Sequence, residues 1–258
     1  MKELSFWDFI LFVSSANLSR YFIISGLFFG VFYGLFKNKW REKKIQSRYP
    51  KNKDYRREIM SSVLTLCIFV CFALLIFKSP LSAFTQRYNT IDEMGWGYWW
   101  WSIVVMILIH DTYFYWTHRA MHHPLVYRQV HWTHHKSTNP SPWAAFAFHP
   151  LEAVVEAGIV FLIAFLIPFH ISALTVFLIF MTLYNAYGHL GFELYPKNFY
   201  KTWIGRWLNT SVAHNQHHEK FKGNYGLYFL FWDRWMGTLR SDYASQYDLI
   251  SQKRKIEV

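Results

Sequence analysis

Histidine is the residue whose spacing in this 258-residue chain first indicates chemistry. Thirteen histidines are present, and most of them fall into three short clusters. The first cluster, residues 118–122, has the spacing H-x3-H, whereas residues 131–135 and 214–218 both have the spacing H-x2-H-H. Positions i, i+3 and i+4 of a helix lie on one face, so we expect each cluster to direct its imidazoles toward one point.

The number of histidines indicates how many metal ions the chain binds. Neutral imidazole binds zinc, copper, iron and nickel, and a zinc ion takes three protein ligands in a catalytic site or four in a structural one. The clusters supply more imidazoles than one ion can use: His118, His122, His131, His134, His135, His214, His217 and His218. The sequence therefore predicts two metal ions. Few carboxylates lie among the histidines, unlike soluble di-iron bundles built on glutamate, and an all-imidazole site keeps positions open for O₂.

The histidines outside the clusters are interpreted separately. His149 and His189 stand alone but add to the candidate ligands, and His149 is explained equally well as a hydrogen-bonded residue. We interpret His110, His123 and His170 as ordinary core or interface histidines.

Three other classes of protein compete with a two-metal enzyme. A metal transporter should place its histidines in the middle of membrane spans along a pore. A bis-histidine haem protein needs one histidine on each of two facing helices, not clustered triplets. A zinc-dependent membrane hydrolase is the strongest rival, but it should need fewer histidines and a glutamate base in an H-E-x-x-H motif, which the sequence lacks.

Long apolar runs must hold these clusters in place, and they predict an all-α integral membrane protein. The chain is 53% hydrophobic, 21% aromatic and only 17% charged, which does not suit a soluble protein of this size. We predict four or more transmembrane helices at residues 21–36, 59–77 and 94–109 and in a helical hairpin over residues 157–188. Pro168 breaks the last run, whose first arm is short enough to be re-entrant. Residues 1–258 are predicted to form a single domain, with the histidine clusters within residues 110–240.

The charge distribution predicts an orientation in the membrane. The formal net charge is +11, and the loop at residues 37–57 holds ten lysines and arginines between the first two apolar runs. By the positive-inside rule this loop is cytoplasmic, which places the histidine clusters on the cytoplasmic side as a cap. Anionic lipid headgroups explain the basic charge, and an acidic protein partner would be attracted by it. Nucleic acid is not expected, because the basic residues flank apolar runs.

The clusters and the segments around them resemble the fatty acid hydroxylase and sterol desaturase superfamily. The resemblance is closest to its sterol C5-desaturase (lathosterol oxidase) branch and covers about residues 49–240. The matching segments are 49–59 (YPKNKDYRREI), 111–123 (DTYFYWTHRAMHH), 125–135 (LVYRQVHWTHH), 147–152 (AFHPLE) and 213–235 (AHNQHHEKFKGNYGLYFLFWDRW). One departure is Phe146, where the C5-desaturase branch commonly has a further histidine.

The resemblance implies a bundle of four or more membrane helices under a cap that binds two iron ions. The implied ligands are the eight cluster histidines, with His189 as the ninth and His149 as a further candidate. Asp111, in a D-x3-YW-x-HR pattern, would fix the tautomer of an imidazole through its second nitrogen, and its alternative role is to pair with Arg119. Asp233 and Arg234 are interpreted as a structural ion pair.

The resemblance also implies an enzyme that uses O₂ to desaturate or hydroxylate a lipid. A sterol is the leading substrate, and fatty acyl, sphingoid and ether lipids are the alternatives. The sequence contains no haem-attachment, flavin or iron–sulfur motif, so a separate electron carrier and reductase are expected. The resemblance implies that this carrier is similar to cytochrome b5 or ferredoxin. The bacterial inner membrane and the endoplasmic reticulum both stay open as locations.

Overall fold

The fold is built almost entirely from helices, as predicted. A computed structural model of the protein describes residues 4–252. The α-helices are α1 (Phe6–Phe29), α2 (Asn52–Phe77), α3 (Gly95–Met121), α4 (Pro124–Val130), α5 (Trp132–His135), α6 (Pro150–Leu166), α7 (Ile171–Gly188), α8 (Ser211–Lys220), α9 (Phe231–Trp235) and α10 (Tyr243–Gln252). A π-helical segment, Gly30–Leu35, continues α1. Short 3-10 turns lie at Arg41–Lys43, Pro80–Phe84, Ile91–Glu93, Pro142–Phe146 and Phe199–Lys201. Strands β1 (Arg87–Tyr88) and β2 (Phe169–His170) pair in parallel.

The first long helix begins at Phe6 and not after Arg20, so its predicted start is wrong. Ser5 caps the N-terminus, because its Oγ accepts the backbone N–H of Asp8 at 3.1 Å. Arg20 lies inside the helix, where its Nη2 donates to Oδ1 of Asn17 at 3.0 Å. Because the guanidinium group of Arg20 has a hydrogen-bond acceptor one turn earlier on the same helix, the charge does not interrupt the helix.

The helices that lead to the histidines are longer than the apolar runs alone predict. Helix α3 continues past residue 109, carries His118 on its last turn and is followed directly by His122. The hairpin is present as α6 and α7, and the helices are separated by Pro168 and β2. Helix α6 begins at Pro150 and not at residue 157, because proline is well suited to the first position of a helix.

Within residues 4–252, three segments are long and apolar enough to cross a membrane, judged by length and composition. They are Phe6–Leu35, Asn52–Phe77 and Ile171–Gly188. Helix α3 carries polar and Trp-rich positions, and α6 has only 17 residues with two glutamates, so neither belongs to this set. The all-α membrane architecture is therefore confirmed, whereas four or more spans stays a prediction.

Phe146 and its neighbours tie the long helices together beneath the histidines. Tyr21 Oη on α1 and Ser62 Oγ on α2 both donate to the carbonyl of Trp143, at 2.8 and 2.9 Å. Asn185 Nδ2 on α7 donates to another carbonyl of this segment at 2.7 Å. Phe146 is 2% exposed and packs between rings of α1 and α2, so this position supplies apolar packing instead of an imidazole.

Candidate metal centre

Nine histidines converge on two points at one end of the helical bundle. Group A consists of His118, His122, His131, His135 and His217, and group B consists of His134, His189, His214 and His218. Within each group the metal-binding nitrogens lie within 4.8 Å of one another. These are the nine residues named from the sequence, including the isolated His189, and all except His122 are buried.

The spacing of the imidazole nitrogens fits metal ligation. In group A, the Nε2 atoms of His118 and His131 are 3.1 Å apart. In group B, Nε2 of His189 lies 3.1 Å from Nε2 of both His214 and His218. With metal–nitrogen bonds of about 2.1 Å, ligands at right angles are ~3.0 Å apart and tetrahedral ligands are ~3.4 Å apart. The donor set therefore fits two ions, although imidazole alone does not distinguish iron from zinc, copper or nickel.

Each H-x2-H-H cluster is divided between the two groups. On α8, His214 and His218 belong to group B, whereas His217 belongs to group A. The cluster at residues 131–135 is divided in the same way, with its first and last histidines in group A. Adjacent residues of a helix point about 100° apart, so the two consecutive histidines that end each cluster must face different points. The prediction that each cluster faces one point is therefore wrong, and the division joins both groups into one centre.

Backbone carbonyls hold the second ring nitrogen of several of these histidines. Nδ1 of His118 donates to the carbonyl of Tyr225 at 2.9 Å, and Nδ1 of His217 donates to that of Gly223 at 2.7 Å. His189 makes the same contact with a carbonyl of α7 at 2.8 Å. A carbonyl can only accept, so the proton is on Nδ1 and the lone pair of Nε2 faces the centre.

Among the described residues, Glu152 is the carboxylate that contacts a cluster histidine, a role that was not predicted from the sequence. Its Oε1 lies 2.6 Å from Nδ1 of His131, and the residue is 1% exposed. A buried carboxylate on the second nitrogen of a ligand fixes the ring and increases its basicity. The signal available in the sequence was its place at the end of the matched segment 147–152.

The predicted contact between Asp111 and an imidazole is absent from the described residues. Oδ1 of Asp111 instead accepts the backbone N–H groups of Tyr228 and Phe229 at 2.7 and 3.1 Å. Its alternative partner, Arg119, donates to Tyr115 Oη at 3.1 Å. Buried N–H groups need acceptors, and Asp111 supplies one from α3. Asp111 thereby holds in place the loop at residues 221–230, whose carbonyls contact the imidazoles.

Asp233 and Arg234 do not form the predicted ion pair. The carboxylate oxygens of Asp233 accept the backbone N–H groups of Tyr225 and Gly226 at 2.9 and 2.8 Å. Arg234 Nε donates to the carbonyl of Arg206 at 2.7 Å. Asp233 therefore fixes the turn that presents a carbonyl to group A.

The remaining histidines lie outside both groups. His149, the further candidate ligand, caps α6 by accepting a backbone N–H of its first turn at 3.3 Å. His123 and His170 cap α4 and α7 in the same manner. His110 is buried and its Nδ1 lies 2.8 Å from the hydroxyl of Tyr228. Their hydrogen bonds explain these four histidines without a metal.

Burial keeps the cluster imidazoles neutral, which is the form that binds metal. Loss of water around the ring lowers the pKa of His189 to about 4. The same cause, reinforced by neighbouring imidazoles, holds the pKa of His131, His134 and His214 well below its usual value.

Acidification is expected to destabilise the metal-free protein. In the unfolded chain these histidines gain protons as the pH falls below about 6.5. In the folded chain His189 stays neutral down to about pH 4. The free energy of unfolding should therefore be highest above about pH 6.5 and decrease as the pH falls from there toward 4. Thermal unfolding of the metal-free protein at stepped pH measures this, and a midpoint that is equal at pH 7 and pH 5 would contradict it.

An open cleft lies next to group A. It has a volume of about 440 Å³ and is lined by Trp116, Arg119, Ala120, His122, His123 and Tyr225. His122 is the half-buried histidine of the nine, so this cleft is where the described surface comes closest to a candidate ligand.

The chain is similar to proteins named for sterol desaturation. A Delta(7)-sterol 5(6)-desaturase of Gibberella zeae is 29% identical over 231 residues, covering 90% of this chain and 65% of the relative. One of Aspergillus fumigatus is 30% identical over 201 residues, covering 72% and 63%. The lathosterol oxidase of Homo sapiens is 27% identical over 235 residues, covering 90% and 72%.

The chain covers only part of the length of its fungal relatives. The chain spans between 52% and 65% of the length of three fungal relatives, including one of Leptosphaeria maculans. No solved structure matches the chain significantly. The sequence profile described as fatty acid hydroxylase matches residues 103–238, which include all nine histidines of groups A and B. The chain therefore belongs to the fatty acid hydroxylase family.

Proposed function

We propose that the chain is a membrane-bound, non-haem di-iron oxidoreductase that uses O₂ to desaturate or hydroxylate a lipid. The observation that carries this proposal is the convergence of nine imidazoles on two points at the end of an apolar bundle. Iron bound in groups A and B would supply the O₂ activation needed to attack an unactivated C–H bond. Membership of the fatty acid hydroxylase family supports iron over the other metals that imidazole binds.

The residues of the chain prepare the site for this chemistry. Carbonyl groups and Glu152 fix the imidazole rings so that the Nε2 atoms face inward. Burial of eight of the nine histidines excludes water from the centre. The apolar helices give a lipid access from the bilayer and hold its reacting carbon in place. Small differences in that position decide between loss of a second hydrogen and addition of oxygen.

A sterol is the favoured substrate, and desaturation is the favoured outcome. The relatives' names, Delta(7)-sterol 5(6)-desaturase and lathosterol oxidase, support both. The family profile and the presence of Phe146 support the alternative, a hydroxylase of fatty acyl, sphingoid or ether lipids. A zinc-dependent hydrolase or a metal transporter is the more distant alternative.

The reaction needs a reductant that the chain does not supply. Desaturation consumes O₂, two electrons, two protons and two substrate hydrogens, and it forms two molecules of water. We propose that a separate acidic carrier, of the cytochrome b5 or ferredoxin kind and reduced by its own reductase, docks over the cleft beside His122. Electron transfer weakens steeply with distance, and His122 is the candidate ligand nearest the described surface. The basic loop at residues 37–57 supports a cytoplasmic position for this face, in a bacterial inner membrane or the endoplasmic reticulum.

Mass spectrometry of lipids tests the proposed function. The protein is produced with an electron donor in a host supplied with Delta(7)-sterol, and lipid extracts are compared with those of a His134→Ala, His217→Ala double variant. The expected result is a sterol that has lost two hydrogens in the wild type only. Gain of one oxygen would identify a hydroxylase instead. A wild-type protein that contains zinc and no iron would contradict the proposal.

A further inference from the structure

A second polar cluster lies inside the bundle, outside groups A and B. Glu156 on α6 is 7% exposed, and its Oε1 has no hydrogen-bond partner among the described residues. Burying a carboxyl group without a partner costs free energy, and in a membrane protein such a residue is retained mainly for function. Glu156 therefore needs an explanation that packing does not give.

Glu156 lies next to the metal centre on the side of the long helices. Glu152 and Glu156 are one turn apart on α6 and share a face, with ~6 Å of rise between them. Glu152 contacts His131 of group A, and its Oε2 also lacks a partner among the described residues. The unpartnered oxygen of Glu156 is therefore about one helical turn from the residue that contacts a ligand.

His110 and Tyr228 form the other part of this cluster. Nδ1 of His110 lies 2.8 Å from Tyr228 Oη, and both residues are at most 2% exposed. His110 follows the same face of α3 as Phe114 and His118, with ring centroids 6.2 and 4.9 Å apart along the series. Tyr113 Oη of α3 donates to the carbonyl of Val155 at 2.6 Å, so α3 and α6 lie side by side at the level of Glu156. His110 is about one turn of α3 away from Tyr113. The pair and the glutamate therefore lie on neighbouring helices at about the same level of the bundle.

We propose that Glu156 and the His110–Tyr228 pair bind the hydroxyl group of the lipid substrate. A hydroxyl is both a donor and an acceptor, so it can donate to the free oxygen of Glu156 and accept from Tyr228 Oη. An unsubstituted hydrocarbon chain would leave the oxygen of Glu156 without a partner. This inference rests on the proposed function, because it takes the oxidised carbon to lie at groups A and B.

The position of the cluster defines the substrate class. A hydroxyl bound at Glu156, one turn of α6 beyond the residue that contacts a ligand, belongs to a lipid whose alcohol lies a few bonds from the oxidised carbon. Ring alcohols such as sterols have this arrangement, whereas the middle of a fatty acyl chain does not. Glu156 is accordingly a residue that determines specificity, and it holds the ring system in register with the metals.

Binding of an alcohol and its ether to the iron-loaded protein in lipid nanodiscs tests this site. The probes are radiolabelled lathosterol and its 3-O-methyl ether, which keeps the ring system but removes the donor. The wild type is expected to bind the alcohol about tenfold more tightly, as for one hydrogen bond to a charged or strongly polar group. Glu156→Leu should reduce the ratio to about one, and Glu156→Gln should retain part of it.

Tyr113→Phe is the matched control. The Tyr113 hydroxyl also lies between α3 and α6 but donates to the carbonyl of Val155 at 2.6 Å, so its loss should leave the ratio unchanged. If Glu156→Leu does not fold, Glu156→Ala replaces it and should also reduce the ratio to about one. Equal affinity of the wild type for both probes, or a ratio unchanged in Glu156→Leu, would overturn the proposal. A preserved ratio in a protein that oxidises no lipid would refute the proposed function and leave the hydroxyl site standing.

Discussion

His189→Ala will lower the bound iron from two ions per chain to about one and reduce lipid oxidation by ~100-fold or more. Group B contains only four imidazoles among the described residues, and His189 is central to it. Its Nε2 lies 3.1 Å from those of His214 and His218 and 3.3 Å from that of His134. Removal of this ring leaves three histidine ligands and one empty coordination position in group B, so we expect the ion in group B to be lost first.

His170→Ala is the control for this experiment. His170 precedes the same helix, α7, that His189 follows, and its ring caps the helix without approaching either group. It should retain two iron ions and lose only about 1 kcal/mol of stability from the helix cap. Elemental analysis of the purified variants and a product assay measure both effects. Two iron ions retained in His189→Ala would show that this histidine is not a ligand.

Glu152→Ala will weaken iron binding by about 10- to 100-fold without removing a proposed ligand. The carboxylate accepts the Nδ1 proton of His131 at 2.6 Å in a site where both residues are buried. Without it, the imidazole can rotate or adopt the tautomer that directs its proton toward the metal. Group A is affected because His131 belongs to it.

Glu152→Gln separates the two contributions of this side chain. The amide oxygen can still accept from Nδ1 of His131, so ring orientation is kept while the negative charge is lost. We expect an iron affinity between those of the wild type and Glu152→Ala, measured by competition with a chelator. Equal iron affinity in all three proteins would show that Glu152 does not support the metal.

The long helices were predictable from the sequence, but their ends were not. Uncharged apolar runs indicated α2 and the α6–α7 hairpin, because burial of apolar surface depends mainly on composition. The start of α1 depends on the Ser5 cap and on a local partner for Arg20, neither of which an apolar run records. The same reason explains the start of α6 at Pro150.

The residues of the candidate site were predictable, but their division into groups was not. Spacing and resemblance identified all nine histidines. The separation of His217 from His214 and His218 follows from how α8 faces the other helices, which is a property of tertiary packing. The contacts of Glu152 and Asp111 join residues distant in sequence, so neither role could be derived from spacing.

Anomalous scattering at the iron absorption edge, from crystals of the purified protein, tests the central claim most directly. We expect two peaks per chain, one surrounded by the Nε2 atoms of group A and one by those of group B. Strong scattering should begin at the iron edge and not at the zinc edge. A single peak, peaks that appear only at the zinc edge, or metal bound away from these histidines would contradict the account.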